Sequence, residues 1–442
     1  MPATTKKSKT KYAFPQALLM ICFILLVNTA TCQTLNYSNL TFTDALSKAK
    51  TSKQIIFIQL ESDCQPCNSV ANRGLSGIEI IDLFSKYICI KAVYNSEDYK
   101  QILDQYHIYP NYPSSLFVDF EGNYLSSLNN FSSTSRNEYF KLAAKAMANI
   151  KNPPFKKYTQ ALNLDKSDKG FLKEYIQELN KQNFNIDDLL DKYVEMMTVK
   201  ELNDSTEIAF LIRSCPVINS RTYNLIRTNN SLYNKAFESF PLEERVQINQ
   251  RIIKKSKEKA FREKDSNYLS SVLNFLSGSY GKDYKEAFKA REKMQLEYYK
   301  EIKDIRSYYN QSHRYYLSNF DKLNMDSICM EELNKTIRRP DGGIMKGGHL
   351  YQTGNQINEM AYAIYELSTD KEQLGFALKL SEKTLNYKNP SFIDTYACIL
   401  YRLGGKKDAI DWQQKAISIS DSLHQENDVL KQTLLKMKAG TL

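Results

Sequence analysis

The chain has 442 residues, which is more than one ordinary domain of about 100–200 residues holds, so two or three domains are expected. Its 42% hydrophobic content and its 15 Gly and 11 Pro exclude a mainly disordered chain and favour a helix-rich folded protein. The net charge of +10 is not concentrated in a dense basic tract, so no nucleic-acid partner is predicted.

The N-terminus predicts a secretory signal over residues 1–32. Four lysines precede an apolar run at residues 17–27, and they are Lys6, Lys7, Lys9 and Lys11. The run is shorter than the roughly 20 residues that a membrane-spanning helix needs. Cleavage after Cys32 would leave Gln33 first, and the alternative is a lipid anchor at Cys32. The predicted location is therefore periplasmic or secreted.

Residues 39–150 predict a small α/β domain, because their apolar period switches repeatedly between helical and strand spacing. Thr43 is expected to cap the first helix, and residues 54–60 (QIIFIQL) predict a buried strand. Capping boxes beginning at Ser76 and Ser135, and a helix start at Ser96, predict three further helices. A second strand is predicted over 87–93, and a hairpin over 115–120 and 124–128.

Two segments of this region resemble the thioredoxin superfamily over about a quarter of the chain. The motif Cys64-Gln65-Pro66-Cys67 follows the first predicted strand, and Pro113 precedes the strand of the predicted hairpin. The resemblance implies that Pro113 is a cis-proline beside the cysteine pair, with Tyr112 next to it contacting substrate. Two positions depart from the family pattern: Asp63 stands where many members have Trp, and Ile58 where thioredoxins bury a carboxylate.

Thiol–disulfide exchange requires one thiolate, a second thiol that resolves the mixed disulfide, and a surface that holds the substrate. A helix N-terminus stabilises a thiolate, so Cys64 is the predicted nucleophile, with a pKa below the value of about 8.5 for an unperturbed cysteine. Cys67, one turn further into the helix, is the predicted resolving residue. Glu61 is the candidate for proton transfer. No cofactor is predicted.

Other readings of these residues stay open. The pair could form a permanent structural disulfide, or the domain could be a redox-inactive scaffold. A metal site is disfavoured because no second CxxC and no paired histidines accompany the motif.

Cys89 and Cys398 are predicted as small buried side chains. The four histidines are scattered and give no ligand or triad spacing; they are His107, His313, His349 and His424.

Beyond Pro154 the strand period disappears and helical patterns continue to the C-terminus. Residues 393–419 resemble a tetratricopeptide repeat, with Ala397, Gly404, Ala409 and Ala416 at expected close approaches of two helices. A weaker copy precedes it. The predicted organisation is an α/β thioredoxin-like domain at 33–150, a helical domain at 151–345 and a repeat-like all-α region at 346–442.

The whole layout resembles exported bacterial thioredoxin-family proteins of largely unassigned role. The resulting hypothesis is an exported thiol–disulfide oxidoreductase whose helical region binds a partner or substrate. Its expected partners are protein thiols or disulfides and a redox partner in the membrane or periplasm. The alternative is a non-enzymatic interaction protein that carries a redox-inactive thioredoxin-like module.

Overall fold

The structure is a computed structural model, and it describes residues 35–62, 65–109, 113–129, 133–163, 168–338, 344–345 and 350–442. The chain forms two compact units: Met1–Pro216 with Ser220–Pro241, and Val217–Asn219 with Leu242–Leu442. This division is coarser than the predicted one, so the domain boundaries near residues 150 and 345 stay predictions. The predicted signal region lies outside the described residues. Within the described ranges no helix is both long and apolar enough to cross a membrane.

A mixed four-stranded sheet lies in the first unit. Its strands are β1 (Ile56–Leu60), β2 (Ile88–Ala92), β3 (Ser114–Val118) and β4 (Tyr124–Leu128). The order across the sheet is β2-β1-β3-β4. β1 is parallel to β2 and antiparallel to β3, and β3 is antiparallel to β4. The predicted strands and hairpin are therefore confirmed: β1 and β2 are slightly shorter than predicted, β3 begins one residue earlier and ends two residues earlier, and β4 has the predicted bounds.

Helices cover this sheet. They are α1 (Phe42–Ser52), α2 (Gln65–Gly74), α3 (Ile78–Phe84), α4 (Glu97–Tyr106) and α5 (Arg136–Asn149). All five residues of the central strand β1 are buried. On one face, the rings of Phe57, Phe84 and Phe117 pack with centroids 4.7–5.6 Å apart. An apolar run without strict alternation is typical of such a strand, because neither of its faces meets water.

The predicted helix starts are partly correct. Ser96 caps α4 as predicted, accepting a hydrogen bond from the backbone N–H of Tyr99 at 3.2 Å. Ser135 is the N-cap residue of α5 but makes no side-chain capping bond. The prediction for Thr43 is wrong: α1 begins earlier, and Thr41 accepts from the Asp44 N–H at 3.1 Å. This earlier start places Phe42 in the core.

The capping box at Ser76 is also wrong. The Ser76 hydroxyl donates to the Arg73 carbonyl at 2.7 Å, so it terminates α2 instead of starting α3. The N-cap position of α3 is occupied by Gly77 at φ +100°. That conformation favours glycine, and a side-chain cap at this position is therefore absent.

The hairpin turn is organised by one carboxylate. Asp119 Oδ1 accepts from the backbone N–H groups of Glu121 and Asn123, each at 2.8 Å, and Oδ2 accepts from the Asn123 side chain at 2.8 Å. Gly122 adopts φ +86° within the turn. An aspartate that bonds to backbone groups two and four residues on stabilises a tight reversal of the chain.

Helices dominate the rest of the chain. In the first unit they are α6 (Lys156–Asn163), α7 (Lys169–Lys181), α8 (Asp187–Glu195), α9 (Ser205–Arg213), α10 (Arg221–Thr228) and α11 (Asn230–Glu238). In the second unit they are α12 (Leu242–Glu263), α13 (Ser266–Ser279), α14 (Tyr284–Glu301), α15 (Ile305–Asn319), α16 (Met325–Asn334), α17 (Gln352–Leu367), α18 (Lys371–Glu382), α19 (Pro390–Arg402), α20 (Lys406–Ser422) and α21 (Asp428–Ala439). Short 3-10 turns lie at Glu201–Asn203 and Leu385–Tyr387. Two short antiparallel strands of two residues each interrupt the helical pattern. They are β5 (Ile337–Arg338) and β6 (Ile344–Met345).

The repeat-like segment forms the closely packed helices α19 and α20. Ala397, Ala409 and Ala416 are fully buried, which agrees with their predicted place at a helix–helix contact. The prediction that Gly404 permits a close approach of the two helices is wrong. It adopts φ +103°, and a Cβ there would meet nothing within 4 Å, so the loop conformation and not a close approach requires it.

Candidate functional site

Cys67 lies in the first turn of α2, a few residues after β1 ends. It is partly buried and forms a disulfide. The other described cysteines carry no disulfide and are buried; they are Cys89, Cys215, Cys329 and Cys398. The predicted nucleophile Cys64 lies outside the described residues.

The end of β1 is tied to α2 by an asparagine. Asn68 Oδ1 accepts from the backbone N–H of Ser62 at 2.9 Å and from its hydroxyl at 3.3 Å. Asn68 Nδ2 donates to the Ser62 carbonyl at 2.7 Å. Both residues are buried. We call this arrangement the Ser62–Asn68 clamp, and it ties the chain after β1 to the first turn of α2, which carries Cys67.

Pro113 is buried and immediately precedes β3. In the sheet, Ser114 of β3 is the register partner of Leu60, the last residue of β1. Pro113 therefore lies at the same end of β1 as the segment that leads to Cys67. Tyr112, the predicted substrate contact, lies outside the described residues.

The candidate proton carrier Glu61 forms an ion pair. Its Oε1 is 3.0 Å from Lys91 Nζ in β2, and both side chains are about a quarter exposed. The same ammonium lies 4.9 Å from the centroid of the Tyr37 ring. Sequence reasoning missed Lys91, because only the parallel pairing of β1 with β2 brings it beside Glu61.

A second polar pair lies between the strands near this end. Ser115 donates to Gln59 Oε1 at 2.5 Å, and both residues are buried. Ile58, at the position where the resemblance to thioredoxins would place a buried carboxylate, is fully buried. Gln59 was also missed, although a single polar residue inside the run QIIFIQL is a visible signal.

Burial makes two of the described thiols, Cys89 and Cys398, poor nucleophiles. Burial raises the pKa of Cys89 to about 12 and, as the main cause, that of Cys398 to about 12. The Cys89 thiol also donates to the Phe84 carbonyl at 3.5 Å. Both predictions of buried structural cysteines are confirmed. Among the described residues no group of three or more His, Cys, Asp or Glu side chains could hold a metal ion.

A cavity of about 540 Å³ lies at the opposite end of the sheet, beside the hairpin turn. Its aromatic walls include Tyr124, Phe155 and Phe184, whose rings pack with centroids 5.4–5.6 Å apart. His107 also lines this cavity, and its burial, the largest influence on its pKa, lowers that pKa from the ordinary value for histidine. Because the lining includes no cysteine, this cavity is separate from the disulfide.

Neither a scan against protein-family models nor a comparison with curated proteins yields a match for this chain.

Proposed function

We propose that the protein is an exported thiol–disulfide oxidoreductase that acts through Cys64 and Cys67. The observation that carries the proposal is the disulfide of Cys67 in the first turn of a helix that follows a buried strand. Every other described cysteine is a buried thiol, so Cys67 differs from them in its greater exposure and in being oxidised. We take Cys64, three residues earlier in the sequence, as its disulfide partner.

The sheet supports a thioredoxin-like assignment of this domain. Its order β2-β1-β3-β4, with only β1 and β2 parallel, is compatible with that fold. The buried Pro113 before β3 agrees with a proline that lines a substrate site next to the cysteines. Glu61 beside Lys91 is the proposed site of proton exchange with solvent.

The proposed reaction is exchange in two steps. The Cys64 thiolate attacks one sulfur of a substrate disulfide, an S–S bond forms between Cys64 and that sulfur, and the other substrate sulfur leaves as a thiolate. The Cys67 thiolate then attacks Cys64 Sγ and displaces the substrate sulfur bonded to it as a second thiolate. The substrate is reduced by two electrons, and the enzyme ends with the Cys64–Cys67 disulfide. The reverse sequence oxidises a substrate dithiol.

A trapping experiment tests this proposal. Replacing Cys67 by Ser preserves attack by Cys64 but removes resolution, so Cys67→Ser should accumulate mixed disulfides with proteins of its own compartment. Non-reducing electrophoresis with mass spectrometry measures them. Pro113→Thr should lengthen the lifetime of such species, because the residue lies where substrate and sulfur would meet.

Cys64→Ser is the matched control and should trap nothing. Cys89→Ser should trap as little as wild type, since its thiol is buried. If Cys67→Ser traps no partner and wild type neither reduces nor oxidises a model dithiol, the enzymatic proposal is wrong.

A second candidate is an interaction protein with a redox-inactive module. A groove of about 760 Å³ in the second unit favours it, since the lining includes Met330 and Leu423, which are 62% and 52% exposed. Exposed apolar side chains around a groove are typical of binding surfaces. This candidate predicts that partners are retained by the double variant Cys64→Ser/Cys67→Ser.

A further inference from the structure

The Ser62–Asn68 clamp connects the two residues that flank the CxxC segment. Three hydrogen bonds of 2.7–3.3 Å join them, and two of these bonds use the backbone N–H and C=O of Ser62. Ser62 is 2% exposed and Asn68 is 6% exposed. Because both residues are shielded from water, loss of these three bonds is not offset by hydrogen bonds to solvent.

The clamp affects the two redox states unequally. In the oxidised protein the disulfide of Cys67 restrains the first turn of α2 in addition to the clamp. In the reduced protein that covalent restraint is absent, and the clamp ties this turn to the end of β1. A turn held in place keeps the Cys67 thiol at a high effective concentration for its partner thiol, which favours disulfide formation. Without the clamp the reduced form gains more conformational freedom than the oxidised form.

We propose that Asn68 is a positioning residue that sets the reduction potential of the Cys67 disulfide. The inference rests on the proposed function, because it takes Cys64 and Cys67 as a reversible redox pair. In this scheme Asn68 does not contact the substrate and takes no part in the electron transfer. It acts by holding the first turn of α2, which carries Cys67, against the end of β1.

The test is a glutathione redox titration of the full chain carrying Asn68→Ala. Loss of the clamp should lower the equilibrium constant for disulfide formation about tenfold. For a two-electron couple this raises the potential by about 30 mV. Ser62→Ala should shift the potential less than Asn68→Ala does, because the two clamp bonds to the Ser62 backbone survive.

Asn149→Ala is the matched control. Asn149 Nδ2 donates to the Leu125 carbonyl at 2.7 Å, the same kind of bond at the same length as that from Asn68 to Ser62. Leu125 lies on β4 near the hairpin turn, which is the opposite end of the sheet from Cys67. Asn149→Ala should lower thermal stability without moving the potential.

The outcomes separate the two proposals. If wild type shows no reversible couple, the proposed function fails. If wild type titrates reversibly but Asn68→Ala keeps the wild-type potential, or if Asn149→Ala shifts it equally, the role of Asn68 is refuted and the function stands. If Asn68→Ala does not fold, Asn68→Ser replaces it in the titration. Its hydroxyl can retain one of the clamp bonds, so the reduction potential should rise by a smaller amount.

Discussion

Gly74, the last residue of α2, occupies a position that has no space for a side chain. A Cβ there would lie 2.1 Å from the Ser133 carbonyl oxygen and 2.4 Å from Cε2 of Tyr139. Tyr139 is fully buried in the core of the sheet domain, so its ring cannot move aside easily. Close packing at this one residue therefore fixes the C-terminal end of the helix that carries Cys67.

We expect Gly74→Ala to destabilise the protein by about 1–3 kcal/mol, the usual cost of overpacking a core. Urea unfolding measures the change. Gly170→Ala is the control, because Gly170 lies in α7 and a Cβ there would meet no atom nearer than 3.4 Å. That variant should be neutral or slightly stabilised. Equal destabilisation of both variants would contradict the steric explanation.

Glu332 connects three parts of the second unit, which are α16, the start of α17 and the 3-10 turn at Leu385–Tyr387. Its carboxylate accepts from the Thr353 N–H at 2.8 Å and the Gly354 N–H at 3.4 Å, in the first turn of α17. It also accepts from the Tyr387 hydroxyl at 2.5 Å. A carboxylate at a helix N-terminus satisfies backbone N–H groups that have no partner within the helix.

Tyr387→Phe should lower the free energy of unfolding by about 1.5–3 kcal/mol, the range for a hydrogen bond to a charged group. The ring contacts with Phe392 and Tyr351 are retained in this variant, so the change reports on the hydroxyl. Chemical denaturation followed by circular dichroism measures it. Tyr284→Phe, at a residue 78% exposed, is the control and should leave stability unchanged. A loss no larger than the control would show that Glu332 is satisfied by backbone groups alone.

Buried phenols and thiols make the stability of the whole molecule dependent on alkaline pH. Burial raises the pKa of Cys89, Tyr124, Tyr315 and Cys398 to about 12. In the unfolded chain these groups titrate near 8.5 for Cys and 10 for Tyr. The folded state thus binds their protons more tightly, and the associated stability is full below the unfolded pKa values and is lost as pH rises toward 12.

We therefore expect the urea midpoint to be steady from pH 7 to pH 8 and to fall progressively above about pH 9. Tyr124→Phe should show a shallower fall between pH 10 and pH 12, since one titrating phenol is removed. Tyr284→Phe, whose ring is exposed, should follow wild type. A midpoint that rises with pH in this range would reverse the sign of the predicted linkage.

Much of the local structure could be predicted from the sequence alone. The apolar run of β1, the strand–turn–strand pattern of the hairpin and the cap at Ser96 depend on residues within a few positions of one another. The CxxC motif is likewise local and predicted the helix turn that carries Cys67. The Ser76 prediction was wrong because a serine can equally well terminate the preceding helix, and the positive φ of Gly77 is visible only in the folded chain.

The sequence by itself thus determined where the strands, the hairpin and the helix turn that carries Cys67 lie. Only the tertiary structure decided which side chains meet at the end of β1 that leads to Cys67. The pairing of Gln59 with Ser115 spans 56 positions, and that of Glu61 with Lys91 requires two strands to align in one register. The Ser62–Asn68 clamp requires a strand end and a helix start to meet. Such contacts depend on register and packing, which periodicity and composition do not specify.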